Sequence, residues 1–250
     1  MIELAGRSAL VTGGSRGVGA AVAVMLARAG ADVALTYNTR AREAEAVARQ
    51  VREAGRRAYV AGGDLADPVM VERVVSGVRR EFGALDILVA NAGIWPVEDT
   101  ALRDMSPARW RSTMAANLDS VFHTVRAALG AMDHGGSVVL VSSTAGQRGE
   151  AMHADYAATK GALISLTKSL AIECAPDITV NCVAPGWVDT DMSASAYAGD
   201  GRERIARSIP LRRIASADDV AGPIVFLCSS LARHITGEVL NVNGGSVLCG

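Results

Sequence analysis

The chain has 250 residues, half of them hydrophobic, with 26 glycines and a formal net charge of −1. That length supports one large core, and the balanced charge excludes the basic field that nucleic acid or an acidic lipid surface demands. No apolar stretch approaches the ~20 residues that cross a bilayer, and no early segment reads as a signal peptide, so a cytoplasmic protein with no membrane partner is expected. Cys174, Cys182, Cys228 and Cys249 have neither metal-site spacing nor the density of a disulfide scaffold, and reduced thiols are expected. His123, His134, His153 and His234 are scattered, so no catalytic metal is expected.

Taken in chain order, β-rich apolar runs fall near 7–12, 32–37, 58–62, 86–90, 137–142, 178–184 and 238–242. Helical patterns lie between them, near 18–29, 40–54, 68–82, 107–132, 155–174 and 217–229. Such alternation predicts an α/β fold, a doubly wound parallel sheet of about seven strands with helices on both faces. Runs such as Ile87-Leu88-Val89-Ala90 and Val138-Val139-Leu140-Val141 show no polar alternation, as strands buried on both faces should. No linker, repeat or low-complexity tract divides the chain, so residues 1–250 read as one domain. The stretch 186–215 is the least regular, broken by Gly186, Gly199, Asp200 and Gly201.

The first strand enters the turn Thr12-Gly13-Gly14-Ser15-Arg16-Gly17-Val18-Gly19 and then an alanine-rich helix. A glycine turn between strand and helix lets backbone N–H groups approach a pyrophosphate. The spacing is neither the common dinucleotide pattern nor a P-loop, and an ordinary strand-to-helix loop is the alternative. The second strand ends Tyr37-Asn38-Thr39-Arg40, without the carboxylate that an NAD site places there, and Asp32 lies at the strand's other end. Arg16 and Arg40 instead suit a 2′-phosphate, because a guanidinium forks onto phosphate oxygens, so NADP(H) is the cofactor expected. Thr12-Gly13, Asn91-Ala92-Gly93, Ser142-Ser143 and Pro185-Gly186 all close strands and should gather along one crevice. Tyr156 and Lys160 are four apart on one helix face, and a nearby cation lowers a phenol's pKa toward usable acid–base chemistry.

With these pieces in order, the chain resembles the short-chain dehydrogenase/reductase family over essentially its whole length. The motifs are Thr12-Gly13-x3-Gly17-x-Gly19, Asp64-Leu65, Asn91-Ala92-Gly93, Asn117, Ser143, Tyr156-x3-Lys160, Pro185-Gly186-x3-Thr190 and the tail Gly237 to Gly245. The resemblance implies a single Rossmann-type domain whose segment 186–215 is a substrate flap. It implies that Ser143 hydrogen-bonds the substrate carbonyl and that Tyr156 protonates the same oxygen while hydride comes from the nicotinamide. Lys160 then tunes Tyr156 and holds the nicotinamide ribose, and Asn117 holds a water that relays protons. For the cofactor it implies Gly13, Ser15, Arg16, Gly17, Val18, Gly19, Tyr37, Asn38, Thr39, Arg40, Asp64, Leu65, Asn91, Ala92, Gly93, Tyr156, Lys160, Pro185, Gly186, Val188 and Thr190.

Position nominates Trp95, Gln147, His153, Trp187 and Met192 for the substrate, with Ile94, Pro96, Thr144, Met152, Val188 and Tyr197 around them. These residues are largely apolar, so a small-molecule ketone or acyl thioester is favoured over a small ketoacid. The closest subgroup in appearance is the 3-oxoacyl-[acyl-carrier-protein] reductases of fatty acid biosynthesis, which implies acyl carrier protein as a partner and a homotetramer as the assembly. Arg126 matches a carrier-docking position, but Glu173 stands where a second arginine is implied. A carrier-independent or polyketide-type ketone reductase, another secondary-alcohol dehydrogenase, a dimer, and a non-catalytic dinucleotide-binding regulator remain as alternatives.

Overall fold

The computed structural model describes residues 2–133 and 135–248. His134 and Cys249, both weighed above, lie outside them. Among the described residues the strands are β1 (Ser8–Val11), β2 (Asp32–Tyr37), β3 (Ala58–Gly62), β4 (Ile87–Ala90), β5 (Gly136–Val141), β6 (Ile178–Pro185) and β7 (Val239–Val242). They form one sheet in the order β3-β2-β1-β4-β5-β6-β7, with every neighbouring pair parallel. The helices are α1 (Gly17–Arg28), α2 (Ala41–Glu53), α3 (Pro68–Phe82), α4 (Pro107–Met114), α5 (Ser120–Leu129), α6 (Thr144–Arg148), α7 (Ala154–Glu173), α8 (Gly201–Ser208) and α9 (Ala217–Leu227).

Side chains alternate across a strand, so each apolar run feeds two cores. Ala9, Val11, Ile87 and Val89 join α1, α2 and α9 on one face. Leu10, Leu88, Ala90 and Leu140 join α3, α5 and α7 on the other. This two-sided burial is why β1, β4 and β5 lack polar alternation; every residue in them is buried. Chain order reverses between β1 and β4, which opens a crevice at their carboxyl ends.

Two expectations change. The helix expected over 107–132 is divided: α4 ends at Met114, Ala115–Asp119 winds as one π turn, and α5 stops at Leu129. Asn117 sits in that wider turn, fully buried. The segment 186–215 is also less irregular than expected, holding a 3-10 stretch at Asp191–Tyr197 and the helix α8. The sequence Gly201-Arg-Glu-Arg-Ile-Ala-Arg-Ser208 carried a helical signal of its own, a Glu203–Arg207 pair one turn apart, which closes to 2.6 Å.

Candidate active site

The crevice above β1 and β4 encloses about 400 Å³. At its nucleotide end the turn after β1 is fixed from beneath. The Thr12 hydroxyl accepts from the backbone N–H groups of Asn91 (3.0 Å) and Ala92 (2.9 Å), and the Asn91 side chain donates to the Thr12 carbonyl at 2.9 Å. Gly13 and Gly17 adopt left-handed φ values of 65° and 55°, which glycine reaches without strain. Gly19 is needed for space, since a Cβ there would lie 2.3 Å from the Gly13 carbonyl oxygen. The N-terminus of α1 has no capping side chain and no acidic residue in its first turn. Its N–H groups are therefore available to an anion, and the residues present fit a pyrophosphate.

All of the residues expected to hold a dinucleotide line this crevice: Gly13 and Ser15 to Gly19, Tyr37 to Arg40, Asp64, Leu65, Asn91 to Gly93, Tyr156, Lys160, Pro185, Gly186, Val188 and Thr190. The two arginines do not stand alone. Arg16 pairs with Asp191 and Arg40 with Glu43, each at 3.0 Å. The Arg40 hydrogen bond holds the Glu43 carboxyl below its ordinary value, and the Arg16 charge adds to the effect. Asp32 lies at the opposite end of β2, paired with Arg56 and Arg57 at 3.0 and 2.7 Å.

At the other end, Ser143 closes β5 and caps α6, accepting from the N–H of Ala145 at 3.1 Å. Its hydroxyl lines the same crevice as Tyr156 and acts to lower the phenol's pKa. Gly146 lets α6 settle on α7, because a Cβ there would meet the Lys160 carbonyl carbon at 2.5 Å. The Lys160 ammonium donates to the Val141 carbonyl at 2.9 Å and lies 5.7 Å from the centre of the Tyr156 ring. Burial pushes the Tyr156 pKa up to about 12, with the Ser143 hydroxyl opposing and the Glu150 charge adding. Burial likewise drives Lys160 down to about 8. The expected lowering of Tyr156 by Lys160 is therefore not found; desolvation dominates, and the phenol is held protonated near neutrality. A protonated phenol beside a hydroxyl donor can share one developing oxyanion and deliver a proton to it.

Asn117 does not line the crevice. Its side-chain amide donates to the Ile94 carbonyl at 2.9 Å and accepts from the Ile94 N–H at 2.7 Å, fastening the crevice wall to the π turn. Trp95, Trp187 and Met192 line the substrate end, as do Ile94, Thr144 and Val188. His153 lies behind them. It is buried, its Nε2 is 2.9 Å from the Pro96 carbonyl, and its ring stacks under Trp95 with centroids 3.9 Å apart. Trp95 in turn sets its edge against Tyr156 at 4.8 Å. Gln147 also faces away from the crevice, donating to the Asn241 side chain at 2.6 Å. Tyr197 donates to the Val188 carbonyl at 2.9 Å.

Sequence reasoning missed the lining residues Arg148, Glu150, Asp191 and Ser193. Arg148 and Glu150 pair at 3.0 Å; their signal was proximity to Ser143 at the strand end. Asp191, 175 positions from its partner Arg16, had no local signal.

A family model described as enoyl-(acyl carrier protein) reductase matches residues 13–246. The 3-oxoacyl-[acyl-carrier-protein] reductases of Staphylococcus aureus and Escherichia coli are 38% and 41% identical to this chain, over 96% of it and 97% of each relative. A solved short-chain dehydrogenase/reductase of the glucose/ribitol dehydrogenase type from Brucella melitensis superposes with a TM-score of 0.93 at 34% identity, covering 99% of both chains. A short-chain dehydrogenase from Burkholderia cenocepacia, solved in complex with NADP, gives 0.92 at 40% identity over 98% of this chain and 99% of its own. A glycine turn fixed beneath by Thr12 and Asn91, a Ser143–Tyr156–Lys160 cluster across the same crevice, and likeness along nearly the whole chain agree: the chain belongs to the short-chain dehydrogenase/reductase family.

Proposed function

We propose that this protein is an NADPH-dependent reductase converting a ketone, foremost a 3-oxoacyl thioester, to the secondary alcohol. The observation that carries the reading is the gathering of Ser143, Tyr156 and Lys160 at the far end of a crevice that begins at the glycine turn. Bound NADPH supplies the hydride. Ser143 donates to the carbonyl oxygen as charge develops there, and Tyr156, protonated at neutral pH, gives that oxygen its proton. Lys160, as a cation, stabilises the phenolate left behind. Arg16 and Arg40 receive the 2′-phosphate, and the NADP complex of the Burkholderia relative supports that choice.

The names of the Staphylococcus and Escherichia relatives support a 3-oxoacyl thioester, and the apolar substrate end bounded by Trp95, Trp187 and Met192 accepts an acyl chain. Carrier-protein docking rests on exposed Arg126, with exposed Glu173 opposing it on α7. A homotetramer fits the exposed Phe122 on α5 and Ile172 on α7, which are 51% and 82% accessible. A cytoplasmic setting belongs to the same reading, and among the described residues no helix is long and apolar enough to cross a membrane. The family model's description favours a second reading, reduction of an enoyl double bond.

NADPH oxidation with an acetoacetyl thioester, run beside NADH and beside a crotonyl thioester, tests the choice. Turnover of the acetoacetyl thioester with NADPH is expected. Turnover of the crotonyl thioester alone would transfer the assignment to the enoyl reading.

A further inference from the structure

Arg109 has no part in the reaction just described, yet its guanidinium joins three segments around the crevice. It rises from α4 with a side chain only 15% exposed, and its Nε donates to the fully buried Asp155 at 3.0 Å. Nη1 donates to the Glu98 carbonyl at 2.6 Å and to the Thr100 hydroxyl. Nη2 reaches the Met152 carbonyl at 3.4 Å. The Thr100 N–H donates to that same Met152 carbonyl at 3.0 Å, a second tie in parallel.

One cation therefore links α4, the wall that carries Trp95, and the turn that leads into the tyrosine helix. That turn is under backbone strain: Met152 is not glycine, yet it holds a φ of 67°. Such conformations persist only where the surroundings over-determine them. Trp95 touches both His153 and Tyr156, so a shift of the wall moves the surface that faces the proton donor. A buried ion pair is a poor stabiliser compared with an apolar pair of the same size. A fork that also grips two backbone carbonyls is suited to fixing a distance.

We propose that Arg109 is a positioning residue that sets the gap between the Trp95 wall and Tyr156, and through it the size of ketone accepted. The inference rests on the ketone-reductase reading. Lysine cannot replace the fork, since a point charge cannot hold Asp155, Glu98 and Thr100 together. Thr100→Val loosens the wall while leaving the Arg109–Asp155 pair intact, and so avoids unpairing a buried charge.

The test compares Arg109→Lys and Thr100→Val with the unmodified enzyme on acetoacetyl and 3-oxooctanoyl thioesters, with NADPH affinity and amide exchange measured alongside. In both variants KM for the longer thioester should rise by roughly tenfold relative to the shorter, because small misplacements near a reacting group are costly. NADPH affinity should be unchanged, because neither Arg109 nor Thr100 lines the crevice. Amide exchange should accelerate over 94–105 and 149–155 and remain unchanged at the glycine turn. An unchanged chain-length ratio, or exchange raised evenly across the molecule, would overturn the proposal. If the unmodified enzyme turns over neither thioester, the ketone reading fails instead, and the exchange pattern alone decides the role of Arg109.

Discussion

At the scale of single residues, the contest at Tyr156 is between burial, which raises its pKa, and the Ser143 hydroxyl, which lowers it, and burial wins. The phenol titrates at about 12 and Lys160 at about 8. Carbonyl reduction needs the phenol protonated and Lys160 charged, so kcat/KM for reduction should fall as pH rises through about 8; a rate that climbs from pH 7 to 9.5 would contradict this. The same shifts act on stability with opposite signs. Lys160 binds its proton less tightly in the folded state than at its ordinary 10.5, so its penalty is fully present below pH 8 and relieved as pH rises toward 10.5. Tyr156 binds its proton more tightly when folded, so its contribution is intact below pH 10 and lost as pH rises through 12. Unfolding midpoints of the wild type and of Lys160→Met, compared between pH 8 and 10, should show the wild type gaining relative to the variant. At the nucleotide end, Asp191 and Glu43 compete with a 2′-phosphate for Arg16 and Arg40. Asp191→Asn or Glu43→Gln should each tighten NADPH by about two- to fivefold, since the pairs are exposed and screened, and leave NADH unchanged. Equal gains for both cofactors would mean that the carboxylates do not face the phosphate.

At the scale of elements, the π turn at Ala115–Asp119 and the short helix α6 bring the site together, and both were hidden in the sequence. The run from 107 to 132 reads as one helix because a single extra residue per turn leaves no mark on a window-averaged pattern. Five residues of α6, one of them glycine, are too few to show a period. Asn117 was legible as a member of a motif set, but its hold on Ile94 needed coordinates. Replacing it with alanine removes both hydrogen bonds to the Ile94 backbone and should cost about 1–3 kcal/mol of stability, the net worth of two part-buried bonds. A denaturant titration showing a loss well under 1 kcal/mol would mean that water or relaxation satisfies Ile94. The strands were legible to within a residue or two, because burial on both faces writes an unbroken apolar run. His153 and Gln147 were nominated by position along the chain, and position could not say which way their side chains turn.

At the scale of the whole molecule, a parallel sheet of about seven strands follows from alternating elements and right-handed crossovers, and so was readable in advance; the strand order was not. Pairings between distant segments were not: Arg16 with Asp191 and Arg109 with Asp155 join residues that local patterning cannot relate. Phe122 on α5 and Ile172 on α7 are exposed and leave apolar surface that the proposed homotetramer would cover. If the proposed homotetramer uses this surface, Ile172→Arg should lower the assembly toward smaller species in sedimentation, with the fold retained by circular dichroism. An unaltered sedimentation coefficient would remove that residue from the interface.

In the proposed reaction Tyr156 protonates a carbonyl oxygen in a crevice that holds NADPH independently of that step. A single-turnover measurement with Tyr156→Phe, mixing the NADPH-loaded variant with an acetoacetyl thioester, tests it most directly. NADPH should bind as in the wild type, and its absorbance decay should slow by about a thousandfold or more, the scale of a lost general acid. Decay at the wild-type rate would show that Tyr156 is not the proton donor.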